Sequence, residues 1–376
     1  MKKKLHILFL CGWFPSKVFS NNGDFIERHA KAVATKHFVT VLHIITDKNA
    51  TKSIEIVSKK EANVTTHIAY LKKADHKLKK VSLFIKAFFA LLKKVETVDV
   101  VHLNEIFPFG MFSLYLKWFQ KKPYIISEHW TGYHPPQARN ISFIQKLISR
   151  KVTKNAAFIC PVSNDLKNSL EALNFEGNYN RVPNVVDTNL FYPEEQSSST
   201  FKIIHVSNMV NEHKNVEGIL RVIYKLQEKI TNFKFTIIGE NSKQYVDLAN
   251  ELKINPKHII FKDQIPHVEV AQELRESNLF ILFSNYENLP CVILESFSCG
   301  VPVISTNVGG INEFFPEDFG ELIQPKDEIA LLQNIVNFYT NFKVDKLKMH
   351  NYVVENFSEE KIATDFEKLY YKSLKK

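Results

Sequence analysis

Short continuous apolar runs rich in Val, Ile and Phe recur along this chain, with helically spaced segments between many of them, and the pattern occurs twice. In the first half the runs are residues 5–11, 39–45, 98–103, 124–127 and 157–161, with helical spacing at 23–36, 78–95 and 141–153. In the second half they are 202–206, 234–238, 258–261, 279–283 and 301–304, with helical spacing at 215–230, 242–252, 290–299 and 328–342. Unbroken apolar runs suit strands covered on both faces. Strand and helix in alternation mean βαβ units and a parallel sheet. The expected fold class is therefore α/β, with two doubly wound domains.

The 376 residues suit two or three domains. Between the two blocks lies RVPNVVDTNLFYPEEQSSST, whose polar, small-residue end marks 194–200 as the linker. The expected domains are 1–195 and 196–357, followed by a tail at 358–376. In that tail Ile362, Phe366, Leu369 and Tyr370 share one helical face, which can pack across both domains. Two such domains in tandem would set the C-terminal ends of both sheets around one cleft.

Composition removes whole classes of function. At 45% apolar and 24% charged the chain is neither disordered nor a small disulfide scaffold. No stretch of about 20 uncharged apolar residues is present. Cys11, Cys160, Cys291 and Cys299 form no CxxC pair and no zinc spacing with the histidines, so reduced thiols and no metal site are expected. Lys2 to Lys4 before an apolar run imitates a secretory signal, but His6 breaks the run and no small-residue cleavage site follows. A first strand and a cytoplasmic protein are the expectation. The formal charge of +9 favours anionic partners. Nucleic acid is not expected among them, because no basic-aromatic ladder or helix-turn-helix pattern occurs.

The usual phosphate signatures, G-x-G-x-x-G and G-x-x-x-x-G-K-[ST], are missing. The densest candidate is SNYENLPCVILESFSCGVPVISTNVGGINE, residues 284–313. A strand ends there, Pro290 suits the first helical position and Gly300 the place just past the helix end. The helix start offers backbone N–H groups from Asn288 through Leu289 and Cys291 to Val292 to an anion. Glu287 precedes that helix and Glu295 lies in its second turn, so two carboxylates can reach different parts of one ligand. Such a pair can equally be surface charge, or the across-the-sugar pair of a glycoside hydrolase.

With seven residues between Glu287 and Glu295, E-N-L-P-C-V-I-L-E resembles the E-x7-E motif of the retaining glycosyltransferases of family 4. The next segment, S-x-S-C-G-V-P-V-I-S-T-x-x-G-G-x-x-E, is similar to that family's continuation, and P-N-V-V-D-T-x-x-F at 183–191 resembles its interdomain P-N-G-V-D-x-x-x-F. N-G-D-F-I-E-R-H-A-K-A-V near the start resembles its glycine loop and first helix. The resemblance implies a GT-B architecture, two Rossmann-like domains with a nucleotide-diphosphate sugar between them. It implies metal-independent transfer of a hexose-like sugar and no cofactor beyond that co-substrate. By the same resemblance Glu295 holds the nucleotide ribose, Glu287 contacts the donor sugar, and the backbone from Asn288 to Val292 meets sugar or phosphate oxygens.

The family's G-R-x(5)-K, whose Arg and Lys grip the diphosphate, has a counterpart in H-V-S-N-M-V-N-E-H-K-N at 205–215. Lys214 matches the lysine, whereas Asn208 stands at the arginine position. An amide can hydrogen-bond phosphate but brings no charge and no bidentate fork; His213 is one residue that could compensate. His129, in I-I-S-E-H-W-T-G-Y-H, resembles the family histidine that faces the donor sugar, with His134 in an acceptor loop or on plain surface. Gly23 lets backbone approach a ligand at a helix start.

From Lys72 to Lys94 a run of lysines surrounds a strongly apolar body. Either the segment lies on an anionic membrane, as a basic amphipathic helix does, or it is an ordinary helix with Leu83, Phe84, Ala87, Phe88 and Leu91 packed inward. The membrane reading agrees with relatives that glycosylate lipid-linked acceptors. The function implied is sugar transfer from a nucleotide-diphosphate sugar to a glycan or lipid-linked acceptor, in cell-surface polysaccharide synthesis. Two rivals stand beside it: a GT-B nucleotide-sugar epimerase, which needs no acceptor, and a non-catalytic scaffold of a polysaccharide assembly.

Overall fold

The computed structural model describes residues 3–195, 199–341 and 343–375. Lys2 of the basic start, part of the expected 194–200 linker, Phe342 at the end of the expected 328–342 helix, and Lys376 of the tail lie outside the described residues. The chain forms two units, one of Met1–Val185 with Glu359–Lys376 and one of Val186–Ser358.

The first unit is built on seven strands: β1 (His6–Cys11), β2 (Phe38–Asp47), β3 (Ile54–Glu61), β4 (Val64–Lys72), β5 (Val100–Asn104), β6 (Tyr124–Glu128) and β7 (Phe158–Pro161). Their order is β3-β4-β2-β1-β5-β6-β7, parallel throughout except for the β3–β4 hairpin. Central β1 pairs on both sides, Ile7 facing Val39 and Val100. With helices α1 (Asp24–Ala34), α2 (Lys77–Leu92), α3 (Gly110–Gln120), α4 (Phe143–Asn155) and α5 (Asn164–Ala172) in the same unit, Ile7 to Cys11 is sealed from water. The β3–β4 hairpin has no counterpart in the sequence reading. Its turn carries Ala62 at φ 48° rather than a glycine or an Asn-Gly pair, so the usual hairpin signal is absent.

The second unit has six parallel strands, β8 (Phe201–Val206), β9 (Phe233–Ile238), β10 (Ile259–Lys262), β11 (Leu279–Leu282), β12 (Val303–Thr306) and β13 (Gly320–Ile323). They run in the order β10-β9-β8-β11-β12-β13. Strand order reverses between β8 and β11, and ligands of open α/β sheets bind at such switch points. Its helices are α6 (Asn211–Lys214), α7 (Val216–Leu226), α8 (Val246–Glu251), α9 (His267–Arg275), α10 (Cys291–Ser298), α11 (Glu328–Asn341) and α12 (Lys346–Phe357). The last helix, α13 (Glu359–Ser373), belongs to the first unit.

The chain changes unit at Val185–Val186, before the polar run near 195. Residues after Val186 pack into the second unit: the Val186 amide donates to Phe357 O at 2.9 Å, and Leu190 O accepts from the Arg275 guanidinium at 2.9 Å. Apolar Val186 and Phe191 are buried, and that burial outweighs the polar signal downstream. In α13 the expected face is the buried one, Ile362, Phe366, Leu369 and Tyr370 packing in one core with Ile26, Ala30 and Val33 of α1. Tyr370 also reaches His102 of β5, hydroxyl to Nδ1, at 2.7 Å. Among the described residues no helix is long and apolar enough to cross a membrane.

Candidate functional site

Two loops leave the switch point of the second sheet, 207–214 after β8 and 283–290 after β11. His205, at the end of β8, is fully buried, and burial holds its pKa down at about 4, so the ring is neutral. Its Nδ1 donates to Ile281 O at 2.8 Å, which leaves Nε2 to accept from the Ser207 hydroxyl at 2.9 Å. Ser207 Oγ in turn accepts from the Met209 amide at 3.1 Å. The chain turns sharply there, with Met209 at φ 58°. Asn208 is thereby left exposed, its Oδ1 accepting from the Val210 amide at 3.3 Å, so its NH2 group remains as a donor.

Lys214, the last residue of α6, sends its ammonium 2.5 Å from Glu287 Oε1, and both side chains are largely withdrawn from solvent. The Ser284 hydroxyl donates to the same oxygen at 2.7 Å. Backbone bonds hold the two loops in register: Asn285 N donates to His213 O at 2.7 Å and the Asn285 amide to Glu212 O at 3.0 Å. The His213 ring faces Tyr286. Behind Glu287 lies Gly309 at φ +60°, where a Cβ would stand 1.9 Å from Glu287 O. The neighbouring Gly310 amide donates to Asn288 O at 2.9 Å. The glycines at 309–310 thus press flat against the backbone that aims Glu287.

Pro290 is the residue before α10 rather than its first helical residue, with an extended ψ of 121° and no capping side chain. The first turn starts at Cys291, and an α-helix leaves its first N–H groups without intrahelical acceptors. Asn288 and Leu289 are buried, and Cys291 and Val292 are half-buried. Glu295 follows one turn into α10 and is buried. Gly300 closes the helix as expected: at φ +67° it donates to Phe297 O and Val301 to Ser296 O, both at 2.9 Å.

A cavity of about 700 Å³ opens beside this cluster's β8 loop, lined among others by Asn208, Asn211, Glu217, Glu240, Asn241 and Gln244. Of the expected site residues only Asn208 lines it; Lys214, Glu287 and Glu295 do not. Sequence reasoning missed Glu240, Asn241 and Gln244. The glycine at 239, directly after β9, was the available signal.

In the first unit His129 follows β6 and is buried. Its ring lies 4.5 Å from that of Phe25 and 5.3 Å from that of His29, both on α1. Gly23 caps α1 at φ +74°, and a Cβ there would stand 2.6 Å from the Trp13 backbone, so this start of α1 requires glycine. The fold therefore brings the Gly23 loop and His129 together. Burial first, then the neighbouring His29 and His102, push the His129 pKa well below the usual range, so the imidazole is neutral. His134 is no plain surface residue: Ser169 Oγ lies 2.7 Å from its Nδ1 and the Asp165 carboxylate 3.4 Å.

Glu128, next to His129, had no place in the sequence reading. Its carboxylate accepts from the amides of Ile106, His129 and Trp130 at 2.9, 2.9 and 3.0 Å. Burial raises its pKa to about 7 against those three donors, which pull it down. Glu105 sits where strand order reverses in the first sheet, buried and at φ 67°. Burial and the Glu128 charge raise its pKa well above the carboxylate range.

Two family models cover the chain in succession, one described as Glycosyltransferase Family 4 over residues 25–190 and one as Glycosyl transferases group 1 over residues 189–357. A phosphatidylinositol N-acetylglucosaminyltransferase component from Arabidopsis thaliana is 27% identical over 199 residues, 52% of this chain and 44% of that protein. The match thus spans less than half the length of that relative. Among solved structures, sucrose-phosphate synthase from Thermosynechococcus elongatus superposes with a TM-score of 0.78 at 17% identity, covering 98% of each chain. The Anabaena protein HepE in complex with UDP and glucose gives 0.72 at 14% identity, covering 97% of this chain and 98% of that one. Identities this low speak to the fold alone.

Proposed function

Because the chain belongs to the family 4 type of glycosyltransferase, with the GT-B fold, we propose that it moves a sugar from a nucleotide-diphosphate sugar to a glycan or lipid-linked acceptor. The anomeric configuration is retained, and the product enters cell-surface polysaccharide. The observation that carries this reading is the Lys214–Glu287–Ser284 cluster at the approach to α10, with Glu295 buried one turn beyond. A lysine ammonium has three donors. Lys214 can therefore keep Glu287 and still take a diphosphate oxygen. The first turn of α10 adds backbone N–H groups for the same anion, and the NH2 of Asn208 supplies a neutral donor in place of an arginine. Donors preset for charge that develops in the transition state are worth roughly 2.7–4 kcal/mol each. In this reading no metal is needed to hold the leaving group. Glu287 faces the positive charge that builds on the donor sugar, and by the family resemblance neutral His129 serves the reaction as a hydrogen-bonding group.

The protein works in the cytoplasm, peripherally on the inner face of the membrane, with Lys72–Lys94 toward the lipid. The test begins with thermal stabilisation by UDP, GDP, ADP and their sugars, where ligand at 100 times its Kd adds about 2.7 kcal/mol. A shift with one diphosphate names the base, and transfer to an acceptor extract with that donor completes the reading. Donor turnover without acceptor would mean an epimerase. No shift and no transfer with any donor would make the protein a scaffold.

A further inference from the structure

We propose that the outward face of α2, α3 and α4 together is a docking surface for an anionic lipid bilayer. The proposal widens the membrane contact drawn for Lys72–Lys94, and its readout is binding, so it stands or falls separately from sugar transfer.

The three helices form one layer. The crossovers β4–α2–β5, β5–α3–β6 and β6–α4–β7 all move the same way along the sheet, and right-handed connections then put their helices on one face. Aromatic contacts join them: Phe88 of α2 stacks on Phe112 of α3 at 3.7 Å, and Phe89 meets Tyr115 edge-on at 5.3 Å. The Lys151 ammonium of α4 lies over the Trp118 ring of α3 at 4.9 Å.

What this layer turns outward is apolar. On α2 the inward face keeps Ala87, Phe88 and Leu91 buried, while Leu78, Val81, Ile85 and Phe89 make a second stripe at helical spacing that faces solvent. Leu78 is 81% exposed, Phe119 on α3 74%, and Phe143 and Ile144 on α4 73% and 69%. Met111, Trp118 and Leu147 extend the same surface. Scattered exposed hydrophobics are ordinary, but a contiguous set on neighbouring helices marks an interaction surface.

The charge around it has one sign. Residues 77–94, 110–122 and 142–155 hold thirteen Lys and Arg and no Asp or Glu, more positive charge than the whole chain's +9. The rest of the chain is therefore net acidic. Acidic neighbours reach the patch through Lys79, paired with Asp75, and Lys154, near Glu176. Lys117 is turned to Asn155 O and Arg150 to Leu173 O, so these two serve the layer itself.

Protein interfaces are depleted of lysine. Lysines around an apolar stripe are instead what a bilayer takes: long stems lie along apolar surface while the ammonium groups reach anionic headgroups. Each of the three helices follows a strand's C-terminal end, α2 and α3 after four and five residues and α4 after fourteen. The exposed Leu78, Phe143 and Ile144 therefore lie toward the sheet edge from which the His129 loop leaves. A bilayer seated there would bring a lipid-linked acceptor to the edge where His129 stands.

The full chain is sedimented with vesicles of phosphatidylcholine alone or mixed with phosphatidylglycerol. Binding is expected only to the mixed vesicles, and should weaken as salt rises. The combined variant Leu78→Glu, Phe143→Glu, Ile144→Glu should bind about tenfold or more weakly, since each change removes an inserting group, with an unchanged melting temperature. Equal binding of the variant, or no binding of the parent to mixed vesicles, overturns the proposal. So does a dimer in vesicle-free solution that the same variant dissociates, because the patch would then be covered by a second copy.

Discussion

The Lys214 ammonium and Glu287 Oε1 stand 2.5 Å apart and join the two loops on either side of the switch point in the second sheet. Breaking a buried pair from one side leaves the other charge without compensation, which costs about 3–5 kcal/mol. Lys214→Met is therefore expected to destabilise the protein by about 3 kcal/mol in urea unfolding. Glu287→Gln, which keeps an acceptor for Ser284 and Lys214, should cost far less stability yet lower turnover by orders of magnitude. Normal transfer by Glu287→Gln would remove Glu287 from the reaction.

Gly309 tests the backing of that pair. Its φ of +60° and the 1.9 Å approach of a Cβ to Glu287 O leave no room for alanine without moving the loop. Gly309→Ala should cost about 2–4 kcal/mol and abolish the thermal shift produced by nucleotide. An unchanged shift would mean that the 307–310 loop does not aim Glu287.

Glu128 ties the loop after β5 to the His129 loop through three backbone donors. Glu128→Gln replaces one acceptor oxygen with an NH2 that confronts a backbone N–H. Transfer should then lose kcat with little change in the donor KM, because Lys214, Glu287 and Glu295, the residues proposed to hold the donor, lie in the other unit. A variant with normal kcat would reduce Glu128 to a structural brace.

The pH dependence of stability follows from buried imidazoles. Burial holds His29, His43 and His205 at about 4, and His102 and His129 well below the usual range. These groups are neutral in the fold and take up protons on unfolding, so stability falls as pH drops below about 6.5. Each contributes at most about 1.4 kcal/mol per pH unit. Glu128, raised to about 7, and Glu105, raised well above the carboxylate range, act in the opposite sense: their share of stability is lost as pH rises above the ordinary carboxylate range. The five histidines outnumber these two carboxyls, so the urea midpoint should fall between pH 7 and pH 5. His43→Asn, which keeps a donor for Cys11 O, should flatten that slope.

Both sheets and the strand–loop–helix passage that carries Glu287 and Glu295 were legible because each is written locally. Val, Ile and Phe runs mark the inner strands, and Glu287, Pro290, Glu295 and Gly300 fall within one strand–loop–helix passage. The β3–β4 hairpin escaped because Ala62 occupies a turn position where glycine or asparagine is the usual mark. Glu105 and Glu128 escaped for another reason. Each ends a strand that reads as apolar, and only the parallel pairing of β5 with β6 brings the two ends together. The joint at Val185–Val186 was obscured by a polar loop, although burial of Val186 and Phe191 decides it. Lys214 was readable, but its bond to Glu287 was not, since 73 residues separate them.

The membership of α13 in the first unit bears on how the chain is made. Domains usually complete themselves in order as they leave the ribosome. Here the nascent first unit must wait, with the α1 side of its core uncovered, until the entire second unit has been synthesised and Ile362, Phe366 and Tyr370 arrive. Translation that stops short of α13 leaves a complete second unit attached to an unfinished first one, a product marked for chaperones and proteases.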